Sequence, residues 1–532
     1  MSIYTVLIAL WASCFVLTAA DGVGANARIV QATQERASSV RETSASQVEA
    51  LQKQITALQK QLAEVAKQVK AQDEKTKKEE SIKESKVALK EEPKKEEPQK
   101  AEVPQFDPGY IAVPGTNAAI KFSGMVTLDA IYDVKTNTSE QSQVQRIPYS
   151  VTVNQGNDFK WNRHFYMHAK QSRLGINSIV KNKSGPDVTA FIEADFFGST
   201  NWGDAASPTG TTSPSSPVST TYTFRLRHAV LAYAGLEAGH TTTTFHSTEI
   251  GLPSVDFNGI TGGYNRHALV RYTHKMGDFS LTGAAEHSRT DYVQYTPSVG
   301  GGGAVAGSRF AYFAQDTGSS LGKPEVPDFI LRLKYKFTNS SVVSLSGIYR
   351  DLRIKNNTQG TPVDGRAYTA NGLGLNLAAK IMTFGKSFLS GGVIAGRGIG
   401  WYIAEANGRS AFFNVNPTDP SQRVYQPIQM AMYWAGYSQV WNPQWQTSVG
   451  IARIELETQT LFNNAINGQG GGALASSDPG VDRRFDKFLI NTTYKPVDSL
   501  ELGVEFFLLQ RKSVAGKNGN GQRLQFGASY KF

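Results

Sequence analysis

The sequence predicts an all-β transmembrane barrel of about 16 antiparallel strands, preceded by an N-terminal α-helical coiled coil. Three observations carry this prediction. Apolar and polar residues alternate with period two from Ile120 to Phe532, short and long connections alternate over the same stretch, and heptad-spaced apolar residues precede it. Mean hydropathy is −0.32, which by itself separates nothing, because a barrel spreads its apolar residues over every second position.

The only long apolar run is Ile3 to Ala20. No later segment approaches the roughly 20 continuous apolar residues of a membrane helix. The run has the length of a secretory signal core, and Ala25-Asn26-Ala27 before Arg28 gives an A-x-A cleavage pattern, so residues 1–27 read as a signal peptide. One feature departs from that pattern: no Lys or Arg precedes the run. The single cysteine, Cys14, lies inside the run and would leave with it. A lipid anchor on Cys14 is disfavoured, because Trp11-Ala12-Ser13 lacks the usual leucine and Phe15-Val16-Leu17 continues the apolar run.

Residues 28–72 are assigned to a periplasmic coiled coil. Val48, Leu51, Ile55, Leu58, Leu62, Val65 and Val69 recur at alternating spacings of 3 and 4, an a/d seam that would pair with copies of itself. The mix of Val, Ile and Leu leaves the number of helices open. Residues 73–118 form a Lys/Glu/Pro linker and lead-in, too poor in apolar residues to fold alone over most of its length.

Residues 119–532 are assigned to the barrel. In Ile120 to Asp133 one face carries Ile120, Phe122, Val126, Leu128 and Tyr132, and the other carries Lys121, Ser123, Thr127, Asp129 and Asp133. An apolar face for lipid and a charged face for a wet interior are what a membrane barrel needs. Seven short turns, at 181–187, 235–238, 275–278, 337–340, 382–386, 441–444 and 495–498, alternate with eight long loops. The long ones fall near 134–162, 197–221, 246–264, 291–326, 353–366, 403–425, 459–483 and 512–521. Short periplasmic turns and long extracellular loops put the N-terminal segment in the periplasm and the barrel in a bacterial outer membrane. The last strand ends in Phe532, with Leu524, Phe526 and Tyr530 on its face, which suits an interfacial aromatic girdle.

The chain carries 55 basic and 45 acidic residues, of which 16 and 15 lie in 1–104, leaving 39 against 30 for the rest. The basic residues sit singly along strands and not in stripes, so no nucleic-acid partner is expected.

The segment Phe106 to Asp133 resembles the opening of the DcaP-like trimeric porins. Gln171-Ser-Arg-Leu-Gly175, Phe224-Arg-Leu-Arg-His-Ala229, Ala238-Gly-His-Thr-Thr-Thr-Thr-Phe245 and Val270-Arg-Tyr-Thr273 are further points of similarity. The resemblance implies a sixteen-stranded homotrimer in outer-membrane lipid, a periplasmic coiled coil, and passive uptake of small organic anions such as dicarboxylates. The chain departs from the pattern at Thr242 to Thr244, where an aromatic is common.

In such channels the third long loop folds into the lumen. Here it spans about 245–264 and brings Glu249, Asp256 and the glycines Gly259, Gly262 and Gly263. Facing it, Arg225 and Arg227 share one side of a strand whose other side is Phe224, Leu226 and Val230. The same parity turns Arg173, Arg271, Arg332, Lys334, Lys380 and Arg523 inward. Arginine suits an anion path because its planar fork grips carboxylates and keeps its charge.

Catalytic signatures are missing: there is no G-x-S-x-G, H-E-x-x-H or P-loop, so neither an enzyme nor a cofactor is expected. Gly396-Arg-Gly-Ile-Gly400 reads as strand. His164 and His168 share a strand face but lack a neighbouring carboxylate in sequence, so no metal site is assigned. The expected function is a passive, anion-favouring channel. The competing reading is a barrel-anchored tether whose coiled coil reaches peptidoglycan or periplasmic proteins.

Overall fold

The computed structural model describes residues 106–134, 163–198, 224–256, 259–261, 265–296, 309–314, 324–337, 340–355, 367–406, 409–414, 424–458, 482–514 and 518–532. The assigned signal peptide, the coiled coil, and the linker up to residue 105 lie outside the described residues, as do Gly262 and Gly263.

A short strand, β1 (Ile111–Ala112), lies along the start of β2 (Ala118–Asp133). Both β3 (His164–His168) and β4 (Arg173–Val180) pair with β2, so together they make one interrupted barrel strand. The antiparallel meander continues through β5 (Val188–Asp195), β6 (Arg225–Tyr233), β7 (Leu236–Thr242), β8 (Arg266–Met276) and β9 (Phe279–Glu286). Two strands, β10 (Asp291–Thr296) and β11 (Arg309–Ala314), stand apart from the barrel. The wall resumes with β12 (Asp328–Lys336), which pairs with β9, then β13 (Val342–Lys355), β14 (Ala367–Met382) and β15 (Phe388–Arg397). After β16 (Ala411–Asn414) and β17 (Val424–Pro427) come β18 (Gln429–Val440), β19 (Trp445–Leu456), β20 (Asp482–Val497), β21 (Leu500–Ser513) and β22 (Asn518–Lys531).

Closure comes from β2 pairing with β22, Met125 opposite Lys531 through Asp133 opposite Arg523. Gly124 and Phe532 add reciprocal backbone bonds of 3.0 and 3.1 Å at the end of this seam. The wall is thus a closed antiparallel barrel of 16 strands. All seven predicted short turns are present, several tighter than expected. The β6–β7 turn is only Ala234–Gly235, both at positive φ (51° and 86°), the twist a two-residue hairpin needs.

Alternation decides the outside. Phe122, Val126 and Leu128 are exposed, while Thr127, Asp129 and Asp133 between and beyond them are buried inside. An aromatic girdle gathers at the short-turn end, including Tyr335 4.4 Å from Phe279 and Trp445 stacked 4.5 Å from Tyr494.

Three features depart from the sequence expectation. A bulge in β6 against Glu193–Ala194 brings Arg227 and His228 onto the same side. Leu231 and Tyr233 then carry the lipid face, and Val230 falls on the parity of His228. Next, the loops expected at 291–326 and 403–425 contain strands: β10 pairs antiparallel with β11 and parallel with β16, which pairs with β17. Finally, the interior is not wet all round. On β18–β21 the inward residues include Met432, Trp434, Ile454, Phe485 and Phe507, all buried, and the outward ones near the long-loop end include Arg453 and Glu455.

Candidate channel lumen

Two loops enter the barrel and pack on that apolar inner wall. The third loop places Phe245, Ile250, Leu252 and Ile260 in one buried cluster with Met432, Ile454 and Phe485. The loop after β15 adds Ile399, Tyr402 and Ile403 to it. The glycine run read as strand ends at Arg397, because Gly398 turns at φ 72° and Gly400 begins a 3₁₀ turn, Gly400–Tyr402. Burying side chains of this size is worth about 1.5–3 kcal/mol each, enough to hold irregular backbone in a barrel that would otherwise be solvated.

Polar anchors fix the third loop's path across the lumen. Asn376 donates to the Phe245 carbonyl at 2.8 Å, and Asn491 donates to the Pro253 carbonyl at 2.8 Å. At the tip, the Glu505 carboxylate accepts bonds from Ser254 Oγ (2.9 Å), Val255 N (3.0 Å) and Asp256 N (2.8 Å). Beneath the tip, Gly503 and Gly527 pair across β21 and β22, and Leu252 and Ile260 sit over the paired Gly436 and Gly450.

All eight basic residues assigned to the wall point inward, since their strand neighbours Leu174, Leu226, Val270, Leu331, Leu333 and Ile381 are exposed outside and Arg523 is itself fully buried. Arg225 grips Asp195 with two bonds of 3.0 and 2.7 Å, and Arg227 bridges Glu193 and Asp195 (2.9 Å to the latter). Arg173 lies 3.8 Å from Glu193. Arg266, not singled out from sequence, is within electrostatic range of Arg173, Arg225 and Arg227. Next along the wall, Arg271 pairs with Glu237, Arg332 donates to the carbonyls of Thr244 (3.3 Å) and His246 (3.1 Å), and Lys334 reaches Glu249 at 2.6 Å.

Burial pushes the Glu249 carboxyl up, but the bond and charge of Lys334, with Ser247 and Arg332, leave it below its ordinary value of 4.5. Glu249 is exposed on the side where Lys334 reaches it, whereas Asp256 is buried 3.8 Å from Arg523. Arg523 is fixed by Asp133 (2.7 and 2.8 Å) and Tyr166, and Lys380 lies 4.3 Å over the Phe388 ring. The structure therefore brings Arg173, Arg225, Arg227, Arg271, Arg332, Lys334 and Glu249 to one side, and Arg523 and Asp256 to the packed side. His168 does have a carboxylate nearby: Asp129 lies 3.4 Å from its Nδ1.

Sequence reasoning missed the partners. Glu193 and Asp195 share the inward parity of β5 opposite exposed Ile192, so alternation alone could have found them. Glu505 likewise sits at inward parity on β21. A buried network behind the loops was also missed: Arg350 donates to Asp328 (3.0 Å), to the Gly398 carbonyl (2.7 Å) and to Ser410 (2.9 Å), and the Tyr402 hydroxyl donates to Asp328 (2.9 Å).

Residues 103–528 match the family model described as Porin subfamily. Among solved structures, the outer-membrane channel DcaP of Acinetobacter baumannii is similar at a TM-score of 0.58 and 18% identity, covering 79% of this chain and 99% of that one. An anion-selective porin from Comamonas acidovorans is similar at a TM-score of 0.44 and 12% identity, over 78% of this chain and 100% of that one. No curated protein matches the chain significantly.

Proposed function

The chain belongs to the porin subfamily, an outer-membrane channel by family and fold, and from that premise we propose that it passes small hydrophilic solutes passively and favours organic anions such as dicarboxylates. The observation that carries the preference is the charge lining of the open side. Among the described residues, Arg173, Arg225, Arg266, Arg271, Arg332 and Lys334 lie on this wall with Arg227 buried behind them, against Glu193, Glu237 and Glu249 with Asp195 and Glu286 buried, seven cations to five carboxylates.

In a narrow lumen with low-dielectric walls such an excess raises the local anion concentration and repels cations. The carboxylates hold the guanidiniums in place, and the cations still outnumber them. Flux needs sites that bind weakly, and arginines already shared with wall acids meet that need. The proposal extends to a homotrimer with the coiled coil of 28–72 in the periplasm, which rests on the heptad seam and on the resemblance to DcaP-like porins.

Liposome swelling tests the preference. Vesicles holding the purified barrel should swell faster in a dicarboxylate than in a diamine of similar size. Equal rates would remove the anion preference and leave a general channel.

A further inference from the structure

The outward face of β14–β21 is apolar near the short turns and charged near the long loops. On β19 and β20 the outward cross-strand pairs run from Trp445 with Tyr494, through Val449 with Ile490 and Ile451 with Phe488, to Arg453 with Asp486 and Glu455 with Arg484. Trp445 marks the girdle, and Arg453 lies eight residues further on. At about 3.4 Å per residue and a tilt of about 40°, that is roughly 20 Å, close to the far edge of an apolar band about 25 Å tall. These charges therefore stand where the outer leaflet gives way to its headgroups.

The charges form a shaped surface. A cavity of about 600 Å³ lies there, lined by Arg397, Arg483, Arg484, Lys512, Glu455 and Glu457 among others. Asp486 is already taken by Arg453 (2.6 Å) and Arg484 (2.9 Å). Among the described residues, Arg397, Arg483 and Lys512 are not tied to any carboxylate. Sharing Glu455, a second groove of about 960 Å³ runs toward the short turns over Leu377, Val393, Tyr433 and Ile451, and a third of about 540 Å³ continues it over Ala379, Gly391 and Ala435. Small residues at these outward positions leave a furrow the width of a hydrocarbon chain.

We propose that this face binds a phosphorylated glycolipid of the outer leaflet, with Arg397, Arg483 and Lys512 holding its phosphate and the furrow below seating an acyl chain. Guanidinium and ammonium groups at a membrane surface pair with anionic headgroups, and Arg does so bidentately. The apolar furrow running directly beneath the basic cavity favours a lipid over free phosphate. The inference rests on the outer-membrane reading but not on anion selectivity, because these side chains face away from the lumen.

Native mass spectrometry of the full chain tests it, with the phosphorylated glycolipid and its dephosphorylated form as probes. The wild type should retain the phosphorylated form preferentially. The combined variant Arg397→Glu, Arg483→Glu, Lys512→Glu should retain roughly tenfold less or lower still, with single-channel conductance unchanged as the control for folding. Equal retention by variant and wild type would overturn the proposal. So would loss of the oligomer with lipid retention intact, which would make this face a contact between copies of the chain.

Discussion

Gly503 and Gly527 face each other across β21 and β22, and the space where their side chains would stand holds Val255 at the tip of the third loop. A Cβ on either glycine would come within 2.5 Å of a Val255 methyl. The missing side chains thus set how close the loop comes to the wall.

Replacing Gly527 by Val should push the tip off this wall. Overpacking of this kind costs about 1–3 kcal/mol. Single-channel recording should show an altered conductance with more open-state noise, and heat-modified gel mobility should show earlier unfolding. Unchanged traces would mean the loop seats elsewhere.

Glu505→Ala should loosen the same tip by another route, since one carboxylate receives Ser254, Val255 and Asp256. The buried Asp256 amide would lose its acceptor, at about 1–3 kcal/mol, and the part-buried Val255 amide would lose one at smaller cost. Protease cleavage between residues 250 and 261 should become faster in the variant, while wild-type protein stays protected.

Arg350→Ala should be among the most damaging changes in the barrel. Arg350 is fully buried with Asp328 at 3.0 Å and Asp291 at 3.8 Å, and its loss removes the cation that both buried acids share. Breaking a buried pair from one side costs about 3–5 kcal/mol. Thermal unfolding in detergent should show a large drop, with Arg350→Lys intermediate because it keeps the charge but not the fork.

Glu249→Gln should make the channel more anion-selective by releasing Lys334. Acid should do the same. A carboxyl held below its ordinary value stays ionised as pH falls past 4.5, so the Glu249–Lys334 pair persists there and is lost only at lower pH. Reversal potential recorded from pH 7 down to pH 3 should rise toward anions late in the titration in wild type. In Glu249→Gln the potential should start nearer the anion side at pH 7 and the late rise should be smaller, because only the other wall carboxylates remain to be protonated.

The wall was legible because strand parity is binary: once Leu226 and Leu331 are assigned to lipid, Arg225, Arg227 and Arg332 have only one other place to point. Their ion-pair partners Glu193 and Asp195 obey the same rule. What parity cannot give is tertiary contact. That Arg332 binds loop carbonyls, that Gly503 is empty for Val255, and that β10 pairs in parallel with a strand over 100 residues away all depend on where loops fold back. The β6 bulge moves Val230 to the other face, a one-residue event that no periodicity announces. The apolar inner wall of β18–β21 was hidden for a related reason. Residues such as Ile451 and Ile454 leave both faces greasy, and only the packed loops show that the inner set is dry.

The most direct test of the charge lining is the reversal potential of the purified channel in a planar bilayer under a potassium chloride gradient. The sign should mark chloride as the more permeant ion, and replacing Arg173, Arg225, Arg271 and Arg332 together by Gln should carry it toward or past zero. A cation-selective wild type, or a quadruple variant that keeps its conductance and the same potential, would contradict the role given to these arginines.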